Sequence, residues 1–124
     1  MGLGWSVAAA NAALDKLITD YPYTKLHVGD PGAAGTANAA VNTVRTALTW
    51  AAAALGAKAN GATEGWTSVS GAEDYTHFTQ WSTVGPAGGN FGGSGLITAN
   101  PVAVGDDAKF SPGALVLTAG NVAS

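Results

Sequence analysis

Glu73-Asp74-Tyr75-Thr76-His77-Phe78-Thr79-Gln80-Trp81-Ser82 returns, after a break, as Asn90-Phe91-Gly92-Gly93-Ser94-Gly95-Leu96-Ile97-Thr98. The first run is rich in Thr and aromatic residues, which fit a pleated, half-buried surface. Thr83-Val84-Gly85-Pro86-Ala87-Gly88-Gly89 between them is a cluster of turn formers. The pair reads as a β-hairpin with a long, Gly-rich tip. In a strand, Tyr75, His77, Thr79 and Trp81 share one face, and Thr76, Phe78, Gln80 and Ser82 the other. Each face carries a large aromatic, so neither is plainly the wet one. Such a strand belongs in the middle of a sandwich or inside an assembly.

The rest of the chain is punctuated in the same way. Gly (18) and Pro (5) are spread along its 124 residues, which favours short strands and turns over a helical bundle. The apolar fraction of 47% includes 26 Ala, so the core it can build is thin. Tyr23 to Gly29 alternates as a short strand, with Leu26 and Val28 inward and Lys25 and His27 outward. Gly29-Asp30-Pro31-Gly32 is a turn, and Ala33 to Asn38 continues it with small residues that have nothing to anchor them. Gly56 to Gly61 reads as loop. Trp66 to Val69, Val102 to Val104, Ala108 to Phe110 and Ala114 to Thr118 read as further strands, separated by Gly, Pro and Asp. This spacing of turn signals predicts a mainly β fold: a small antiparallel β-sandwich or partly closed barrel.

The N-terminus differs. Ser6 is an N-cap residue, Val7, Ala10, Leu14, Leu17, Ile18 and Tyr21 recur at helical spacing, and Pro22 stops the run. One α-helix over Ser6 to Asp20 follows, with Asp15, Lys16 and Asp20 on its far side. Val41 to Leu55 reads two ways. Val41, Val44, Leu48, Ala52 and Leu55 fit a helix face, while Val44, Thr46, Leu48 and Trp50 alternate as in a strand.

Charged residues make up 10% of the chain, against roughly 25% in ordinary soluble domains. Either Ser, Thr, Asn and Gly cover the surface, or neighbouring subunits do. The net charge is −3 and no basic run occurs, which removes the electrostatic footprint of nucleic-acid binding. With no Cys there is no disulfide, thiolate site or Cys nucleophile. No Lys/Arg-flanked apolar segment opens the chain as a secretory leader would, and no run approaches the ~20 apolar residues of a membrane span.

Chemistry-bearing residues are sparse. His27 and His77 are the only histidines, and no ligand spacing accompanies them, so no metal is expected. The carboxylate pairs Glu73/Asp74 and Asp106/Asp107 border turns, where acidic residues are solvated or bond the backbone. Gly92-Gly93-Ser94-Gly95 lacks the Lys and helix start of a phosphate loop, and here permits close backbone approach. No catalytic residue and no cofactor is expected. Trp66, Tyr75 and Trp81 are read as core or interface, or alternatively as an aromatic platform for sugar rings.

Several stretches together carry a resemblance: Leu26-His27-Val28-Gly29-Asp30-Pro31-Gly32, Arg45-Thr46-Ala47-Leu48-Thr49-Trp50-Ala51, Trp66-Thr67, and Thr76-His77-Phe78-Thr79-Gln80-Trp81 with Gly88-Gly89-Asn90-Phe91. Gly95-Leu96, Val104-Gly105-Asp106 and Pro112-Gly113-Ala114-Leu115 complete it. In order and spacing these resemble small virion proteins of actinobacteriophages, of the minor-tail or tail-fibre-like kind, over about residues 24 to 118. Chains of that family often carry Asp after the hairpin Trp; here it is Ser82. The resemblance implies an all-β domain, and on that ground Thr43 to Ala52 is assigned to a strand against its helical period. It also implies a virion protein.

These readings divide the chain into a helical arm, residues 1–22, and a β domain, residues 23–124. The arm's stripe of Trp5, Val7, Leu14, Leu17, Ile18 and Tyr21 is expected to contact another subunit or the virion, beyond capping its own sheet. A fibre shaft needs repeats or a long coiled coil, and the chain has neither. The expected role is therefore a small capsid decoration protein, self-associating as a homotrimer and docked on major capsid or tail proteins. It would act without nucleic acid or membrane, in a virion assembled in the host cytoplasm. Minor tail or fibre-tip protein, or a carbohydrate-binding module for host recognition, are the alternatives.

Overall fold

A computed structural model describes residues 6–41, 43–66, 74–85, 88–98, 102–104 and 107–118, with the backbone alone for 102–104 and 107. Helix α1 (Val7–Asp20) starts where the sequence places it. Ser6 is extended, and its Oγ accepts the Ala9 N–H at 3.2 Å. Tyr21 closes the last turn through its N–H to the Leu17 carbonyl. Pro22 then delivers the chain to β1 (Tyr23–His27).

The opening hairpin is the centre of the molecule. Strands β5 (His77–Trp81) and β6 (Phe91–Ile97) pair antiparallel, His77 opposite Leu96 and Trp81 opposite Phe91, with a bulge at Gln80/Trp81. With β2 (Thr46–Ala47), β3 (Ala57–Ala59) and β9 (Leu115–Thr118) they form a six-stranded sheet of order β2-β1-β5-β6-β9-β3. A second sheet of β4 (Glu64–Trp66), β7 (Val102–Val104) and β8 (Asp107–Phe110) has the order β4-β8-β7. All pairings are antiparallel. The fold is mainly β, a curled half-barrel with a small second sheet and one N-terminal helix.

Both faces of β5 are covered, as its aromatics on each side imply: Phe78, Thr79, Gln80 and Trp81 are all buried. On the inner face Leu26, Phe78, Leu115 and Leu117 form one core with Ala10 and Leu14 of α1. Gly92 and Gly95 on β6 make this packing possible. A Cβ at Gly92 would overlap the Tyr21 ring, and one at Gly95 the Phe78 ring and the Val116 carbonyl.

Three local readings need correction. Thr43 to Ala52 is neither a helix nor a full strand. Thr46–Ala47 pairs with β1, and further along Trp50 bridges Asn60 while the Ala51 N–H donates to the Ala59 carbonyl. The stretch crosses from one edge of the curled sheet to the other, so its side chains follow no single period. Ala57–Ala59, read as loop, is a strand on the edge of β9, entered by a tight turn in which Leu55 (φ 52) and Gly56 (φ 77) are left-handed. A further strand reading, Trp66 to Val69, falls largely on residues 67–70, which lie outside the described residues; β4 covers Glu64–Trp66. In β1 the alternation is inverted at its end: His27 is fully buried and Val28 is 40% exposed.

That inversion has a cause. The segment from Gly29 to Ala40 folds back over the outer face of β1 and β5. It is anchored by buried Pro31, Gly35 and Ala40, with Gly35 seated on the Phe91 ring. The anchors are a proline, a glycine, an alanine and backbone groups, which no apolar period announces.

Candidate functional site

Among the described residues no group of three or more His, Asp or Glu is placed to hold a metal ion. Asp30 accepts the Gly32 N–H at 2.9 Å as an Asx turn. Glu64 accepts the Thr49 N–H and hydroxyl. Asp15 holds Lys58 of β3 at 2.5 Å, and that contact keeps its carboxyl below the ordinary carboxylate value. Each of these carboxylates serves a turn, a connecting segment or helix docking. Glu73 and Asp106 lie outside the described residues.

His27 is built into a closed polar chain. Its Nδ1 lies 2.8 Å from the Ala37 carbonyl, which can only accept, so Nδ1 carries the proton. Nε2, 2.9 Å from Thr79 Oγ1, then accepts the hydroxyl proton, and the Trp81 indole N–H donates to the same Oγ1 at 2.7 Å. Burial holds the imidazole below its ordinary pKa. Arg45 lies over the Trp81 ring at 4.2 Å and donates to the Thr83 and Gly88 carbonyls, which clamps the hairpin tip to the sheet. Sequence reading placed Arg45 in a strand and missed this clamp, because its partners lie across a loop.

The three rings read as a possible sugar platform are all buried. Trp66, Tyr75 and Trp81 are 1%, 5% and 7% exposed. Trp66 stands edge-on to Phe110 at 5.8 Å and donates to the Val44 carbonyl, Tyr75 packs on the same Phe110, and Trp81 is covered by Arg45. These rings hold the second sheet and the hairpin tip in place.

The helical stripe lies mostly against its own sheet. Leu14 is 4% exposed, Leu17 reaches Gly93, Tyr21 covers Gly92, and Ile18 packs on the core. Val7 remains 37% exposed, and Trp5 lies outside the described residues. Two further contacts tie the helix down. The Gln80 amide donates to the Tyr21 carbonyl at 2.9 Å, and Asn11 accepts the Gly56 N–H at 2.9 Å.

What remains open is the outer face at β6 and β9. Ser94, Leu96, Thr98 and Thr118 are exposed there, Leu96 to 56%. With Asp30, His77 and Val116 they line a groove of about 330 Å³. One hydrogen bond given to His77 in this wall joins its Nδ1 to Thr76 Oγ1 at 2.9 Å. The lining is rich in hydroxyls, with Leu96 and Val116 as its aliphatic side chains and Asp30 as its carboxylate.

A family model described as podophage GP4 fiber I protein gp80 matches residues 4–118. The match takes in α1, which the resemblance read from motifs left out, and it favours the fibre alternative over capsid decoration. No curated protein and no solved structure matches the chain. The chain belongs to this family of phage tail-fibre-like virion proteins.

Proposed function

We propose that the chain is a small structural subunit of a phage tail fibre, working by self-association and by contact with other tail proteins, without catalysis. The family match over residues 4–118 is the observation that carries this reading. The absence of a shaft argued for decoration only if each fibre chain must contain its own shaft. A fibre assembled from several different chains removes that requirement, and a compact half-barrel can serve as one of its blocks.

Two physical features support a role in assembly. Only 10% of residues are charged, and the open β6–β9 face presents hydroxyls and aliphatic side chains with few charges to desolvate. Nucleic acid and membrane are not among the proposed partners: the chain is acidic, and among the described residues no helix is long and apolar enough to cross a membrane. A homotrimer is the proposed assembly, in a virion put together in the host cytoplasm.

Copy number tests the reading. Densitometry of purified particles should give a few to a few tens of copies per virion, and labelled antibody should mark the tail. Hundreds of copies spread over the head would restore capsid decoration and overturn the fibre assignment.

A further inference from the structure

The segment from Gly29 to Ala40 is a flap over the outer face of β1 and β5. Its residues 32–34 and 36–39 are exposed, and it is fastened at Pro31, Gly35 and Ala40. Backbone bonds join it to β1 at two points, Val28 N–H to the Asn38 carbonyl and Ala40 N–H to the Leu26 carbonyl. A side-chain fastening adds to them: the His27 Nδ1–H holds the Ala37 carbonyl from beneath. Beneath the flap lie the His27 ring and Phe91; Thr79 bonds the first and Trp81 packs on the second. The groove on β6 and β9 begins at its border, where Asp30 of the flap forms one wall and His77 another.

We propose that His27 is an acid-sensitive latch: its protonation releases the flap and joins the sheet face beneath it to the groove. The geometry admits only the neutral ring without rearrangement. Both nitrogens are committed, one as donor to a carbonyl and one as acceptor from a hydroxyl. A proton on Nε2 turns that acceptor into a donor. The Thr79 O–H, whose oxygen already receives the Trp81 indole N–H, must then find another acceptor in a closed site. The new charge would sit on a side chain with no solvent exposure.

The surrounding charges do not rescue it. Lys25 lies two residues away on β1, and His77 lies directly opposite on β5. Burial is the largest effect against a charge on His27; Lys25 and His77 add to it, while the backbone contacts with Ala37 and Asn38 favour the charge and offset only part of it. Arg45 approaches from the segment before β2, stacked on Trp81. The flap contributes Asp30, whose Oδ1 is taken by the Gly32 N–H. β6 brings no titratable side chain. Opening the flap admits water to the ring, which is the least disruptive way to accommodate the proton.

The sign follows from linkage. The closed state holds His27 below its ordinary value of 6.5, while the open state leaves it near that value. The open form therefore binds more protons as pH falls below 6.5. Within that window each pH unit changes the open fraction by up to about tenfold.

Amide hydrogen exchange on the whole chain at about pH 7.5 and about pH 5 tests this, with rates corrected for intrinsic chemistry. Val28 and Ala40, whose N–H groups bond between β1 and the flap, should lose protection at the lower pH, by up to about tenfold for each pH unit below 6.5. Amides of the β5–β6 and β6–β9 ladders should keep theirs, and His27→Gln should abolish the difference. Unchanged flap protection, a sheet that loosens together with the flap, or an acid response that survives in His27→Gln would each overturn the latch. Should His27→Gln fail to fold, the ring 15N shifts of the wild-type protein decide. Opening must follow the His27 titration, and opening that follows His77, or that vanishes in His77→Ala, would assign the switch elsewhere.

Discussion

Leu55 stands in a place built for another residue. It is 84% exposed, with φ 52, at the first central position of a two-residue turn whose second is Gly56. Ala54 and Ala57 exchange both backbone bonds across it at 2.9 Å. Such a turn favours Asn-Gly, because an L residue with a bulky side chain is strained there. Leu55→Asn should therefore raise stability by about 1 kcal/mol in urea denaturation. A neutral or destabilising result would mean that the leucine makes contacts its exposure does not reveal. Asn60 works in the opposite direction. It is 2% exposed, its Oδ1 accepts the Leu115 N–H at 3.0 Å, and its amide reaches the Ser111 carbonyl at 2.9 Å. It thereby pins the turn between β8 and β9. Asn60→Ala leaves those buried groups unpaired and should cost about 1–3 kcal/mol by the same measurement. Gly95→Ala is expected to cost a similar amount, about 1–3 kcal/mol, since the added methyl meets the Phe78 ring and the Val116 carbonyl.

At the scale of elements the helix is the informative case. A helix of 14 residues is marginal alone in water, and its apolar side must be covered. In this chain Leu14 and Ala10 enter the core of the sheet, and Asp15 reaches across to Lys58. Leu14→Ala should cost about 2–5 kcal/mol, the range for emptying a packed leucine site. A loss below about 0.5 kcal/mol, typical of a surface substitution, would show the helix to be loosely held. The Asp15 contact carries its own pH signature. Its carboxyl titrates below its ordinary value of 3.8, chiefly through the Lys58 hydrogen bond. Its contribution is thus full above that value and is lost as pH falls through the lower, folded value. Asp15 is half exposed, so the effect is small. Acid titration of stability should show this step in the wild type and lack it in Asp15→Asn.

For the whole molecule the open β6–β9 face and the low charge argue for a protein that works by being packed against others. On that reading His77→Ala and Glu73→Gln change stability or assembly and remove no reaction. Incubation with purified cell-wall glycan, followed by analysis of released sugars, checks this. Glycan cleavage by the wild-type protein that either substitution abolishes would overturn it. The aromatic residues bear on the same question. Three of the largest rings, read as a possible sugar platform, are spent on joining the two sheets and holding the hairpin tip.

The helix, the central hairpin and most turns were legible in the sequence, because each is written in near neighbours. Ser6 caps, Pro22 stops, and a 3.6-residue period lies between them; Thr and aromatics on both sides of β5 mark a strand covered twice. Only the tertiary structure decided the rest. Ala57–Ala59 is a strand because β9 offers it a free edge, and every residue carries the backbone groups that such pairing needs. Residues 46–54 cross between two edges, so neither period applies to them. His27 alternates as an outward residue, yet a flap returning from later in the chain covers it. Alternation separates inside from outside only where one face of a sheet meets water, and along β1 and β5 both faces are covered.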